Sequence, residues 1–340
     1  VVVTLGLVAR CDNGGLGTMT WEAWRHLQPA RTLVVRSTGP ACGSPHPVRY
    51  LDGPGEVRLT GARVTPADAR WLCDGSTVVY SAETWYGAAI PSAARGRPRT
   101  VLHVMPEYWS PDVRADLLLA PTGWEPPPRS VHLPVPVATD RFTTRHVDEV
   151  RTIYHIGSPA QDRNGTDLLL AALPLLRHPV RVLIRQAGRG RTAPLSEQIG
   201  LASVEWLPHH DGPYWEAWPA ATDALVLPRR FAGLSLPMQE AAAQGLPVIT
   251  LDRGPENTWL PPSALVPARP VGRVVTWRRR SVELWDAVPA DLAARVDALT
   301  TTPTLAAELS TASKLWAEQI AWSRWVDAYQ DVVARPVVGT

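Results

Sequence analysis

The residues best placed to do chemistry lie in one stretch, Leu225-Val-Leu-Pro-Arg-Arg-Phe-Ala-Gly-Leu-Ser-Leu-Pro-Met-Gln-Glu240-Ala-Ala-Ala-Gln-Gly-Leu-Pro-Val-Ile249. An apolar run ends at Pro228, a loop containing Gly233 follows, and helical spacing begins near Ser235. Backbone N–H groups at Gly233, Leu234 and Ser235, where such a helix starts, offer an anion site suited to a diphosphate. Glu240 falls one turn in. There a carboxylate can accept two hydrogen bonds from vicinal ribose hydroxyls, each contributing about 1.5–3 kcal/mol.

A second stretch, Asp12-Asn-Gly14-Gly15-Leu-Gly17-Thr18, follows an apolar strand pattern and precedes a helical one. Glycines at Gly14 and Gly15 let the backbone approach a phosphate or sugar closely. Gly15-x-Gly17 also matches the start of a dinucleotide fingerprint, but Thr20 replaces the third glycine and the next strand ends at Arg36 rather than an acid. A nicotinamide oxidoreductase is the reading that fingerprint alone supports. His103 ends a predicted strand, with Glu107 just beyond; Glu107 and Asp12 are candidates to face an acceptor. No Asp-x-Asp occurs, His209-His210-Asp211 is a single loop rather than a metal cluster, and no Gly-x-Ser-x-Gly elbow is present.

These residues need elements to position them. Strands are predicted at Val1–Ala9, Arg31–Arg36, Thr77–Tyr80, Thr100–Val104, Leu117–Ala120 and Val131–Leu133, with a helix over Thr18–Leu27. Turn chemistry fills Pro126–Pro128 and Pro134–Thr144. The pattern then restarts: strands at Thr152–Ile156, Val180–Arg185, Val204–Leu207, Ala224–Leu227 and Pro247–Leu251, and helices at Thr166–Leu176, Leu236–Gln244, Asp291–Leu299 and Trp316–Val333. Two successive βα arrays imply an α/β protein with two Rossmann-like domains facing a cleft. The expected division is 1–145, 146–315 and a closing helix over 316–340.

At 340 residues the chain has room for two such cores. No apolar run reaches the length of a membrane span, and Val1–Ala9 lacks the features of a signal peptide. Cys11, Cys42 and Cys73 form neither a disulfide framework nor a zinc pattern, which makes a reducing cytoplasm the expectation. A formal net charge of +2 neither demands nor excludes a polyanion. Lys314 is the only lysine, so nearly all positive charge is arginine.

The segment Pro228–Ile249 resembles the donor-binding motif of retaining GT-B glycosyltransferases of the glycogen-synthase-like, family-4 type. The match runs through Pro228, Gly233, Leu236, Pro237, Glu240, Ala241, Ala243, Gly245, Pro247, Val248 and Ile249. The motif's first glutamate, implicated in catalysis in the family, falls here on Ala232. The variant Arg-Arg-Phe-Ala-Gly-Leu-Ser-Leu-Pro-Met resembles a bacteriophage-encoded branch.

Ile156-Gly-Ser-Pro-Ala-Gln-Asp-Arg163-Asn-Gly165-Thr-Asp-Leu-Leu resembles the family's basic diphosphate clamp. Arg163 matches, Ser158 and Asn164 replace basic residues, and Arg185 or Arg189 are the candidates to compensate. His103 matches a strand-end histidine that touches the donor sugar. Trp322-Ser-Arg-Trp325-Val-Asp-Ala-Tyr329 resembles the helix that crosses back to the first domain.

The resemblance implies sugar transfer from a nucleoside-diphosphate sugar, most often a UDP-sugar, with retention and without a metal or other cofactor. It places His103 and Asp12 in the catalytic group. Gly14, Gly15, Arg163, Arg185, Gly233, Leu234, Ser235 and Glu240 would bind the donor. The phage-type variant points to a hydroxymethylated base in phage DNA as acceptor, in the host cytoplasm, with Arg95–Arg99 and Arg278–Arg280 as phosphate contacts. A protein, an envelope glycolipid and a small metabolite are the other acceptors. Ala232 keeps a catalytically silent sugar-nucleotide binder as the alternative class.

Overall fold

The computed structural model describes residues 3–12, 14–36, 48–96, 98–157, 162–186, 195–208, 210, 212, 214–276 and 280–334. The first half is built from β1 (Leu5–Arg10), α1 (Gly15–Leu27), β2 (Arg31–Val35), α2 (Val48–Leu51), β3 (Glu56–Thr60), α3 (Pro66–Asp74), β4 (Val78–Ala82), α4 (Ala89–Ala93), β5 (Arg99–His103), β6 (Leu117–Ala120) and β7 (Val131–His132). Its seven strands run in the order β3-β2-β1-β4-β5-β6-β7, and every pairing is parallel.

Near-continuous apolar runs form the central strands because a parallel sheet is covered on both faces. Alternation still sorts their side chains. Leu7, Val34, Tyr80 and Val101 point into one core, while Val8, Leu33, Val79 and Leu102 point into the other.

The second half repeats the plan with β8 (Thr152–Gly157), α5 (Thr166–Ala172), β9 (Val180–Gln186), β10 (Leu195–Ile199), β11 (Ala202–Leu207), β12 (Ala224–Val226), α6 (Leu236–Ala243), β13 (Val248–Leu251) and β14 (Leu265–Val266). The order is β10-β11-β9-β8-β12-β13-β14, with β10 antiparallel at the edge. An antiparallel hairpin, β15 (Ala268–Val275) and β16 (Ser281–Ala287), and helices α7 (Pro289–Thr301), α8 (Pro303–Gln319) and α9 (Trp322–Ala334) follow.

Both sheets reverse their strand order once, between β1 and β4 and between β8 and β12. Ligands bind at such switch points, beyond the strand C-termini.

Several expectations need correction. The helix over Trp316–Val333 is two helices. Trp316 stacks on Trp259 in the second core at 5.2 Å, whereas Trp322, Tyr329 and Val333 of α9 pack in the first core with Leu7, Trp24 and Tyr80. The break at Ile320–Ala321 is where the chain crosses back, pairing with Val137 of the outgoing linker.

The helix over Thr166–Leu176 stops at Ala172 and tightens into a 3-10 turn around Pro174. Helix α1 begins at Gly15, three residues before Thr18. Cys11 is disulfide-bonded, so the cysteine argument for a reducing compartment does not hold; Cys73 is a free, buried thiol. Among the described residues no helix is long and apolar enough to cross a membrane.

Candidate active site

The two switch points face each other across an interdomain cavity of about 420 Å³. From the first sheet it is lined by Arg10 at the end of β1 and Asp12 beyond it, Gly14–Leu16 at the start of α1, Glu83 after β4, and Met105, Glu107 and Tyr108 after β5. From the second it is lined by Ile156 and Gly157 of β8, Arg163 and Asn164 before α5, Arg229 after β12, and Leu234, Leu236 and Pro237 at the start of α6. A second cavity of about 210 Å³ shares Gly15, Ile156, Leu236 and Pro237 with the first and extends to Tyr154, Arg185, Trp218 and Glu240. Of the sequence-predicted donor residues, Gly14, Gly15, Arg163 and Leu234 line the larger chamber and Gly15, Arg185 and Glu240 the smaller, while Gly233 and Ser235 line neither.

In the smaller chamber the Glu240 carboxylate accepts the Trp218 indole N–H at 3.0 Å. Burial pushes the Glu240 carboxyl up to about 7, against the pull of that N–H. Arg185 Nε donates to the Tyr154 hydroxyl at 3.1 Å on the neighbouring strand. Arg185 therefore belongs with Glu240 rather than with Arg163, and it does not replace the missing base beside Asn164. Arg189 and Ser158 lie outside the described residues.

The larger chamber carries charges of both signs, with Arg163 and Arg229 on its second-domain side and Arg10, Asp12, Glu83 and Glu107 on its first-domain side. Arg163 donates to the Tyr108 hydroxyl at 3.0 Å and lies 3.8 Å from Glu107. Arg229 is almost wholly buried and braces the loop, donating to Ser235 Oγ at 3.1 Å and to the Leu234 carbonyl at 2.8 Å. Behind it Arg253, also buried, donates to the Arg229 carbonyl at 2.7 Å and to Glu256 at 2.9 Å. The Ala232 carbonyl lies 3.4 Å from that guanidinium, so the position without a carboxylate is held by its backbone.

Two helix starts, those of α1 and α6, add their N-terminal dipoles to the same chamber. The turn into α1 depends on Gly17, where a Cβ would fall 1.6 Å from the Asp12 carbonyl.

Four of the predicted site residues make contacts other than those expected. The Gly233 N–H, assigned to the diphosphate, donates to Glu107 at 3.1 Å, and the Gly233 carbonyl accepts from Thr122 at 3.0 Å. Both partners belong to the first domain, so Gly233 joins the domains. Leu234 lines the chamber, but its side chain packs with Met19, Ala82, Met105 and Val135 of the first domain.

Asp12 reaches the chamber wall, yet its carboxylate pairs with Arg10 and accepts the Gly14 N–H at 2.9 Å. It shapes the glycine turn. His103 does not line the chamber. It is fully buried against the Tyr80 and Tyr329 hydroxyls at 3.2 and 3.3 Å, and burial holds its imidazole down to about 3. Alternation explains this: Val101, two residues earlier, faces the core that holds α9, and His103 points the same way.

Of the arginines that suggested a DNA acceptor, Arg99 donates to the Val332 carbonyl of α9 and Arg280 pairs with Glu125. Arg97, Arg278 and Arg279 lie outside the described residues.

Paired seven-stranded Rossmann-like sheets with a C-terminal helix on the first domain define the GT-B fold. Residues 150–269 match the family of glycosyl transferases group 1. Anabaena HepE in complex with UDP and glucose superposes with a TM-score of 0.68 at 11% identity, covering 98% of this chain and 100% of that one. Its complex with UDP-glucose gives a TM-score of 0.68 at 14% identity, covering 98% of each chain. Sucrose-phosphate synthase from Thermosynechococcus elongatus gives 0.64 at 13% identity, covering 97% of this chain and 98% of that one. At such identities the likeness is one of fold. No curated protein sequence matches the chain. The match of residues 150–269 to glycosyl transferases group 1 supports a transferase.

Proposed function

We propose that this protein transfers a sugar from a nucleoside-diphosphate sugar to a hydroxyl acceptor. The observation that carries the reading is the pair of adjoining chambers: a carboxylate, Glu240, in one and two guanidiniums, Arg163 and Arg229, in the other, with Gly15, Ile156, Leu236 and Pro237 at their junction. A nucleoside diphosphate would hold its ribose hydroxyls to Glu240 and its diphosphate to Arg163 and Arg229 in the larger chamber. The donor we propose is a UDP-sugar, in keeping with the UDP and UDP-glucose complexes of the similarly folded Anabaena HepE.

The diphosphate that departs needs counter-charge, and fixed guanidiniums and helix dipoles supply it without reorganisation. We therefore propose a reaction that requires no metal ion. Retention, by attack on the face from which the diphosphate leaves, follows from the resemblance of the Pro228–Ile249 segment. The acceptor hydroxyl would enter on the first-domain side, between Asp12, Glu83 and Glu107. A hydroxymethylated DNA base is the acceptor that the phage-like segment proposes, with exposed Arg95 as its remaining described surface contact.

The test is to incubate the protein with mixed UDP- and GDP-sugars and hydroxymethylcytosine-containing duplex DNA. Mass spectrometry of digested nucleosides and free nucleotide then reads the outcome. A nucleoside heavier by one sugar supports the whole proposal. Free UDP above the no-enzyme control with unmodified nucleosides keeps the transferase and rejects the DNA base. Neither product would favour the silent binder.

A further inference from the structure

We propose that Arg229 is the second cation of the diphosphate seat, opposite Arg163, supplying the positive charge that Asn164 does not. The proposal rests on the reading of the larger chamber as a donor site.

Position comes first. Arg229 follows β12 at the switch point of the second sheet, and it lines the same chamber as Arg163 and Asn164. Its backbone is anchored by Arg253, and its side chain by Leu234 and Ser235 at the entrance to α6. A guanidinium fixed at both ends loses little freedom when an anion arrives.

Charge comes second. Three guanidiniums, Arg163, Arg229 and Arg253, act on one another here, against two carboxylates, Glu107 and Glu256. Glu256 is committed to Arg253 at 2.9 Å, and Glu107 lies 3.8 Å from Arg163. Among the described residues Arg229 forms no ion pair, and its Nε has no hydrogen-bond partner, nor has that of Arg163. A buried charge without a counter-ion is costly unless something pairs it. Burial, then the Arg163 charge, bring Arg229 down to about 9, still protonated at neutral pH. An entering diphosphate would give Arg229 the counter-ion it lacks among the described residues.

A bracing role alone would explain the bonds to Leu234 and Ser235, but not a buried third cation that no carboxylate matches. The two roles separate when ligands with and without phosphate are compared. Calorimetric titration of UDP and of uridine into wild type, Arg229→Gln and Arg229→Lys does this.

The expected result is that Arg229→Gln weakens UDP about ten- to a hundredfold while uridine stays within about twofold, because uridine makes no diphosphate contact. Arg229→Lys, which keeps the charge, retains most of the UDP affinity. Equal losses for both ligands, or none for UDP, overturn the proposal and leave Arg229 as a brace. Should the glutamine variant fail to fold, the folded lysine variant carries the test: UDP affinity close to wild type supports the role of the charge, and a loss of UDP, selective or shared with uridine, overturns it. A wild type that binds UDP no more tightly than uridine brings down the diphosphate reading itself, and this proposal with it.

Discussion

The Glu107 carboxylate of the first domain accepts the Gly233 backbone N–H of the second at 3.1 Å, inside the chamber where the donor is proposed to bind. Gly233 stands at the head of the segment that leads to Glu240, so the site is completed only when the domains meet. Glu107 also faces Arg163 at 3.8 Å and is the carboxylate of this chamber that stands beside the proposed diphosphate seat. An incoming diphosphate meets like charge there. Glu107→Gln keeps an acceptor for the Gly233 N–H and removes that charge. UDP affinity is expected to rise roughly three- to tenfold, about 0.7–1.4 kcal/mol, read by calorimetry; an unchanged or lower affinity would show that Glu107 does not oppose the anion.

Gly233 tolerates no side chain while the domains are joined. A Cβ there would lie 2.7 Å from Pro106 Cδ and 2.9 Å from its Cγ. Proline is a stiff neighbour, so Gly233→Ala is expected to lower stability by about 1–3 kcal/mol and to loosen the interdomain junction. Urea unfolding checks the first, and small-angle scattering the second. Wild-type values in both would mean that the loop can yield without parting the domains.

The Glu240 carboxyl, raised by burial to about 7, sets a pH dependence on nucleoside binding. Its ionised form is the better partner for ribose hydroxyls, so affinity is lost as pH falls through that value. Uridine is expected to bind about tenfold more weakly at pH 6 than at pH 8, the share of ionised carboxylate having fallen by that factor. Glu240→Gln removes the dependence. A flat wild-type profile between those pH values would contradict the assignment.

Two buried histidines predict acid sensitivity of the fold. Burial lowers His103 to about 3 and His155 to about 4, the latter held between the Val226 carbonyl and Thr166 Oγ1 at 2.9 Å each. Their folded pKa values lie below the unfolded one, so their contribution is present above about 6.5 and is lost as pH falls toward the folded values. Between pH 6.5 and 5 each is expected to cost about 1.6 kcal/mol. His103→Gln should reduce that slope in urea denaturation at the two pH values, and an unchanged slope would place the sensitivity elsewhere.

Local pattern revealed much of this site in advance. Arg163 and the Gly14–Gly15 turn each follow a strand pattern and lead into a helical one, Glu240 lies one turn inside the helix of a third such unit, and a strand–loop–helix unit puts its loop at the sheet's C-terminal edge. Arg229 and Glu107 were less legible, because their importance comes from the meeting of two domains. The position of Arg229 was visible, one residue after Pro228, but not its lack of a carboxylate.

His103 was drawn toward the site by its place at a strand end, whereas the side-chain alternation of β5 turns it to α9. Strand β3 and the β15–β16 hairpin escaped notice because their exposed faces carry no continuous apolar run. The switch from α8 to α9 depends on Ala321 pairing with Val137, a contact between residues far apart in the chain.

In the function proposed, the two chambers are one nucleoside-diphosphate site anchored at Glu240. The most direct test is calorimetric titration of UDP into wild type and Glu240→Ala, with thermal unfolding to confirm that both are folded. The account predicts saturable binding by wild type and a loss of ten- to over a hundredfold in the variant, the effect of removing a charge-assisted bond to ribose. Equal UDP affinity in the two folded proteins would contradict it.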